Sequence, residues 1–171
     1  MDKKKGFTLL EVLIAVLIFA IGLLGLAKIQ GQSLRLTHDS LLRTTANLMA
    51  ADMADRMRAN FIATNLGLFS PYNNSKGASN PNCFSTGCTP NEMALQDVYD
   101  WSAALASGLP NGAGTVCVDS TPKDGTPTLP NCDNVILTPG KIVYAIKVWW
   151  TQRVDQQNPG TLHQYILEFS I

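Results

Sequence analysis

The chain has 171 residues, enough for one ordinary domain and tight for two. Hydrophobic residues make up 46% of it and charged residues only 15%, below the roughly one-quarter charged share of soluble domains, so the surface is rich in uncharged polar groups, part of the chain lies outside water, or both. Thirteen Lys+Arg balance thirteen Asp+Glu, which excludes a globally basic nucleic-acid binder, and nine Pro with thirteen Gly exclude an all-helical bundle.

The apolar residues are concentrated near the start. Residues 12–27 read VLIAVLIFAIGLLGLA without a charge, and the run extends back to Phe7 with only Thr8 and Glu11 interrupting it. About 21 residues at 1.5 Å each span roughly 30 Å, the thickness of a hydrocarbon core. Lys3, Lys4 and Lys5 precede the run, and the positive-inside rule puts them in the cytoplasm and everything beyond Lys28 outside. A buried helix of a soluble domain is the less expected reading, because the run is apolar on all faces. The competing reading is a secretory signal cut near Gly25-Leu26-Ala27. Glu11 argues against it, because a carboxylate inside such a helix costs about 2.5–3.5 kcal/mol and has no basic residue one turn away. Its partner is expected elsewhere.

The segment Lys5-Gly6-Phe7-Thr8-Leu9-Leu10-Glu11, followed by Val-Leu-Ile-Ala, resembles the cleavage-methylation motif of type IV pilins and their relatives. The resemblance implies that a prepilin peptidase cuts between Gly6 and Phe7, that the new amine of Phe7 is methylated, and that the leader 1–6 is lost while the helix is kept. Gly6 fits such a cut, since it leaves the backbone open to a protease. The freed amine of one subunit could then lie near Glu11 of its neighbour. Opposite charges in a dry environment attract strongly and would fix axial register. The alternative is that Glu11 only snorkels to the interface.

Helical character continues past Lys28. Leu34, Leu41 and Leu48 recur at heptad spacing, Met49, Met53, Met57 and Phe61 at every fourth residue, and charged residues fill other faces. No proline interrupts the chain before residue 70. One helix is expected over residues 7–62, roughly 80 Å long. Its part 7–27 would be membrane or filament core, its part 28–62 would pack on a head, and the head would be residues 63–171. Gly22, Gly25 and Gly31 are places where it could bend. Many major pilins carry proline where this chain has Lys28, so unwinding there is open. The Met stripe reads as core packing rather than an adaptable binding face.

Residues 67–90 lose all periodicity and read as loop. Thr89-Pro90-Asn91-Glu92 is a capping box opening a second helix that Gly108 and Pro110 close. Strands follow at residues 115–119, 141–150 and 162–171, the second being the strongest. A turn at Asn158-Pro159-Gly160 makes the last two a hairpin. Trp149 and Trp150 point to opposite faces, so at least one is expected at the surface or under the long helix. The expected fold class is α+β: a long N-terminal helix against a small antiparallel sheet, with one extra short helix and disulfide-tied loops.

Cys83, Cys88, Cys117 and Cys132 all lie beyond the apolar run. An even count in an oxidising compartment implies two disulfides. Of three pairings the local one, Cys83–Cys88 with Cys117–Cys132, is expected, because each pair lies within or across one loop-rich stretch. Their spacing does not resemble zinc knuckles. Asp119, Asp124 and Asp133 could be imagined around calcium, but the stretch lacks the EF-hand alternation and surface acids are the expected reading. His38 and His163 are far apart and no nucleophile, phosphate-loop or metalloprotease motif is present, so no enzyme, cofactor or metal is expected.

Residues 46–60, the C-x4-C loop leading into Thr89-Pro90, residues 114–119 and residues 146–150 are together similar to PilV-type minor pilins. That similarity implies a low-abundance subunit that helps initiate and assemble a type IV pilus. Its partners would be other minor pilins, the major pilin, the inner-membrane platform and the prepilin peptidase. It would sit as a single-pass inner-membrane protein with a periplasmic head and then enter the fibre. Two alternatives stay open: a pseudopilin of a type II secretion system, and a soluble periplasmic enzyme or binding protein.

Overall fold

The computed structural model describes residues 8–152 and 160–170. The chain divides into two compact units, Met1–Leu41 and Leu42–Ile171. Helix α1 spans Leu9–Ala59. A four-residue helix α2 (Phe61–Thr64), two 3-10 turns and helix α3 (Pro90–Gly108) follow, then strands β1 (Ala113–Val118), β2 (Val143–Gln152) and β3 (Thr161–Ser170). The expected hairpin turn falls partly on Asn158 and Pro159, outside the described residues.

In the first unit α1 buries nothing: residues 8–38 are all exposed. Burial starts at Leu42 and continues through Ala46, Ala50, Met53, Ala54 and Met57, three- and four-residue steps that make one helical stripe. This corrects two expectations. Leu34, Leu41 and Leu48 are 72%, 60% and 65% exposed, because a residue adjacent to the buried stripe is turned about 100° from it. Phe61 lies beyond the end of α1 and is exposed. Within the second unit the buried stripe of α1 begins at Leu42.

The sheet is antiparallel in the order β1-β2-β3. The registers Val116↔Ile146 and Ile146↔Leu167 run without interruption along both pairs. Tyr144, Ile146, Val148 and Trp150 alternate onto one face and join the buried residues of α1 and α3 in a single core. Gly112 and Gly114 let α3 and β1 approach: a Cβ on Gly114 would collide with the Trp101 and Leu105 side chains, and one on Gly112 with the Leu105 carbonyl. The indole of Trp101 donates to the Met49 carbonyl at 2.8 Å, tying α3 to α1. The capping box of α3 is formed, with Glu92 N–H on Thr89 Oγ1 at 3.3 Å and Thr89 N–H on the Glu92 carboxylate at 2.8 Å. The Thr89 N–H and, after it, the Thr89 hydroxyl donate to the Glu92 carboxylate and hold it below its ordinary pKa.

Ala145, Lys147 and Trp149 alternate onto the other face. It is covered by the β1–β2 connection, which the Cys117–Cys132 disulfide closes. Both tryptophans are therefore buried, Trp150 in the helical core and Trp149 on the loop side. Lys147 is the keystone of that layer. Its side chain is fully buried, and Nζ lies 2.6 Å from Asp119 Oδ2 and 3.2 Å from Asp124 Oδ1. It also donates to the carbonyls of Pro130 (2.8 Å) and Asp124 (3.2 Å). Asp119 is thus not a surface acid, whereas Asp124 is exposed as expected and still reaches Lys147. Asp119 is as buried as its lysine partner, and its Oδ1 accepts from the Thr121 N–H.

A second buried polar group sits between α1 and α3. Tyr72 donates to Asp97 Oδ2 at 2.6 Å, Arg56 donates to Asp97 Oδ1 at 3.3 Å, and Asn60 Nδ2 donates to the Tyr72 hydroxyl at 3.3 Å. Tyr144 bridges the carbonyls of Thr64 and Gly67, at 2.7 and 3.0 Å. Burial raises the pKa of both hydroxyls, and for Tyr72 the Asp97 carboxylate adds to the effect.

Two outcomes follow for the full chain in detergent. Lys147→Met strands a buried carboxylate and should cost about 3–5 kcal/mol in urea unfolding, while Lys147→Met combined with Asp119→Leu should recover most of the loss. A raised folded-state pKa gives stability that is complete below the unfolded tyrosine value of about 10 and is lost as pH rises through the folded values. The melting temperature should therefore fall above about pH 10. Tyr72→Phe should flatten that slope and lower neutral-pH stability by about 1–3 kcal/mol.

Candidate functional site

The N-terminal segment is built on a helix start. Thr8 precedes α1, and its Oγ1 accepts from the Glu11 N–H at 3.3 Å while its carbonyl accepts from the N–H groups of Glu11 and Val12 at 3.1 and 3.3 Å. Thr8 is the N-cap and Glu11 the third helical residue, the S/T-x-x-E pattern of a capping box. Glu11 is the acidic residue of the first turn, where a carboxylate faces the positive end of the helix. The carboxylate thus has a favourable electrostatic setting within its own helix, which the absence of a nearby basic side chain had hidden. The same pattern was legible at Thr89–Glu92.

From Val12 to Ala27 the helix offers only apolar side chains and glycine. Leu9, Leu10, Leu13 and Phe19 are between 59% and 79% exposed, and α1 contains a stretch long and apolar enough to cross a membrane, none of it buried. Gly22, Gly25 and Gly31 have open space where a Cβ would stand, and Gly22 and Gly25, about 60° apart around the helix, make close helix approach sterically available on their side. Gly6 and Phe7, the expected cleavage and methylation positions, lie outside the described residues.

The remaining candidates are placed in the second unit. Cys83 is bonded to Cys88 and Cys117 to Cys132. The sulfurs of Cys117 and Cys132 lie within 4.8 Å of an Asp119 oxygen, but sulfurs bonded to each other are not thiolate ligands. Asp133 accepts from the Ser120 and Val135 N–H groups. Its pairing with the Ser120 side chain, followed by the Val135 bond, lowers its pKa. His38 is exposed, and His163 stacks on Trp150 with ring centroids 5.6 Å apart. The two histidines belong to different units.

Sequence reasoning missed the Lys147 cluster. The signal was a lone lysine inside KIVYAIKVWW: a charge in the most apolar strand requires a buried partner.

Two family models match the chain. Residues 1–27 match the prokaryotic N-terminal methylation motif, and residues 28–99 match the family described as type IV pilin Tt1218. No curated protein and no solved structure matches. A long N-terminal helix, a small three-stranded antiparallel sheet and two disulfides are the α+β architecture that goes with those matches. The chain is a type IV pilin-like protein.

Proposed function

We propose that this protein is a minor subunit of a type IV pilus, anchored in the inner membrane by the apolar part of α1 with its head in the periplasm, and transferred into the fibre after processing. The observation that carries this reading is the apolar start of α1 up to Ala27, every described residue of it exposed, lying within the match to the methylation motif. Lipid covers such a helix first, and a bundle of like helices covers it later, with helix–helix packing taking the place of lipid packing. The prepilin peptidase removes residues 1–6, and other pilins and the platform receive the product. Its role is structural, resting on packing and interaction rather than on catalysis. The distributed similarity to PilV-type chains supports a minor rather than a major subunit. Deleting the gene separates this reading from a type II secretion pseudopilin: loss of surface fibres supports the pilus, and loss of secretion with normal fibres selects the pseudopilus.

In this reading the Glu11 carboxylate has two roles, favouring the positive end of its own helix from the first turn and meeting the Phe7 amine of a neighbour. Glu11→Ala should be processed normally yet be depleted from sheared fibres about tenfold, roughly 1.4 kcal/mol of lost register energy; normal incorporation would refute the pairing. Gly6→Leu should leave the leader in place, seen as an unshifted band on a gel and an unprocessed N-terminus by sequencing.

A further inference from the structure

The sheet has one edge that nothing among the described residues covers. On the outer side of β1, the Val116 carbonyl accepts from Asn74 N–H at 2.7 Å, Val118 N–H donates to Asn73 Oδ1 at 2.9 Å, and the Val118 carbonyl accepts from Asn134 N–H at 3.0 Å. The even-numbered residues of β1 therefore point away from β2. Carried through the registers Val116↔Ile146 and Ile146↔Leu167, this sets the odd-numbered residues of β3 toward β2. The N–H and C=O groups of Leu162, Gln164, Ile166 and Glu168 are left facing outward. No backbone partner for them exists among the described residues.

Such an edge is usually blunted by lysine, proline, a bulge or a short strand. Here β3 is ten residues long, contains neither lysine nor proline, and pairs without a bulge. A cleft of about 210 Å³ opens beside its C-terminal end, with Glu168, Val143 and the exposed Val135 and Leu137 in its lining. An unpaired backbone row specifies an extended strand, and the adjoining cleft, apolar along Val135, Leu137 and Val143 and polar at Ser120, Lys141 and Glu168, gives one side chain of that strand a place to anchor.

We propose that β3 is a docking edge for an extended, strand-forming segment of a different protein, which lengthens the sheet by one strand and sets an apolar side chain into the Val135/Leu137 cleft. A second copy of this chain fits poorly. Antiparallel β3–β3 pairing needs a dyad normal to the sheet, which reverses the segment Leu42–Ala59 in the second copy, whereas subunits anchored in one membrane share one direction. Head-to-tail pairing onto β1 meets an edge already used by Asn73, Asn74 and Asn134. Parallel pairing of two β3 strands turns one sheet over and is weaker per residue. The inference rests on the pilus-subunit reading for where the partner is met and for the shared direction of membrane-anchored subunits.

The test uses the full chain in its native membranes. A photo-crosslinking residue is placed in turn at Gln164, Ile166 and Glu168, and the attached peptides are sequenced. The three sites should attach to one segment of another protein, stepping along it two residues at a time. Attachment to this same chain, scattered attachment, or none overturns the proposal. A proline tests the backbone directly. Glu168→Pro removes an outward N–H and should leave the melting temperature unchanged, since proline is tolerated where the N–H faces outward. It should reduce both crosslinking and fibre content about tenfold. Leu167→Pro breaks a β2 bond and should lower stability. A folded Glu168→Pro chain with unchanged crosslinking refutes the docking edge. Absence of the unsubstituted chain from fibres, with the stepped crosslinks intact, refutes the pilus reading alone.

Discussion

The burial that this chain does not complete by itself governs everything else about it. From residue 8 to residue 38 every side chain of α1 is exposed, and nearly all of them up to Ala27 are apolar. Water is the wrong solvent for that surface, since each square ångström left wet forgoes about 25 cal/mol. The helix must therefore be covered by lipid or by other helices. A subunit able to exchange one cover for the other can leave the membrane without being unfolded. The Thr8 cap and the first-turn Glu11 finish the helix start, where backbone N–H groups would otherwise be left without partners in an apolar surround.

The second unit solves the opposite problem. It is a small three-stranded sheet that must be covered on both faces to be stable. Helices do this on one side, through the stripe Leu42 to Met57 and the α3 residues Val98, Trp101 and Leu105. On the other side no helix is available, and an irregular connection takes its place. Three devices hold that connection down: the Cys117–Cys132 bond, the Lys147 ammonium reaching two carboxylates and two carbonyls, and the Asp133 cap on Ser120. The disulfide restricts the unfolded chain, worth about 3 kcal/mol for a loop of this length. The buried ion pair adds specificity more than net stability, because only one arrangement of the loop satisfies it.

The legible parts of the fold were those governed by local chemistry. The apolar run, the Thr89–Glu92 capping box, and the alternation in residues 143–152 each carry their signal within a few residues. What was not legible depended on tertiary partners. The heptad leucines Leu34, Leu41 and Leu48 look as suited to a core as the stripe that is buried. Only the position of the sheet decides that Leu42, Ala46 and Ala50, two of them small, are the ones turned inward. Small residues carry little hydrophobic signal, yet they let a helix sit close on a sheet. Asp119 and Asp124 looked like loop acids because their partner lies more than twenty residues away in sequence. At the N-terminus, Glu11 was read through the partner it lacked, while its capping role was written in Thr8 three residues earlier.

The proposed role depends on α1 staying attached to the head throughout the life of the protein. The most direct measurement is the N-terminal sequence and mass of the mature chain taken from membranes or fibres. The predicted result is a chain that starts at a methylated Phe7 and retains the entire apolar helix. A mature chain starting near Lys28 would contradict it.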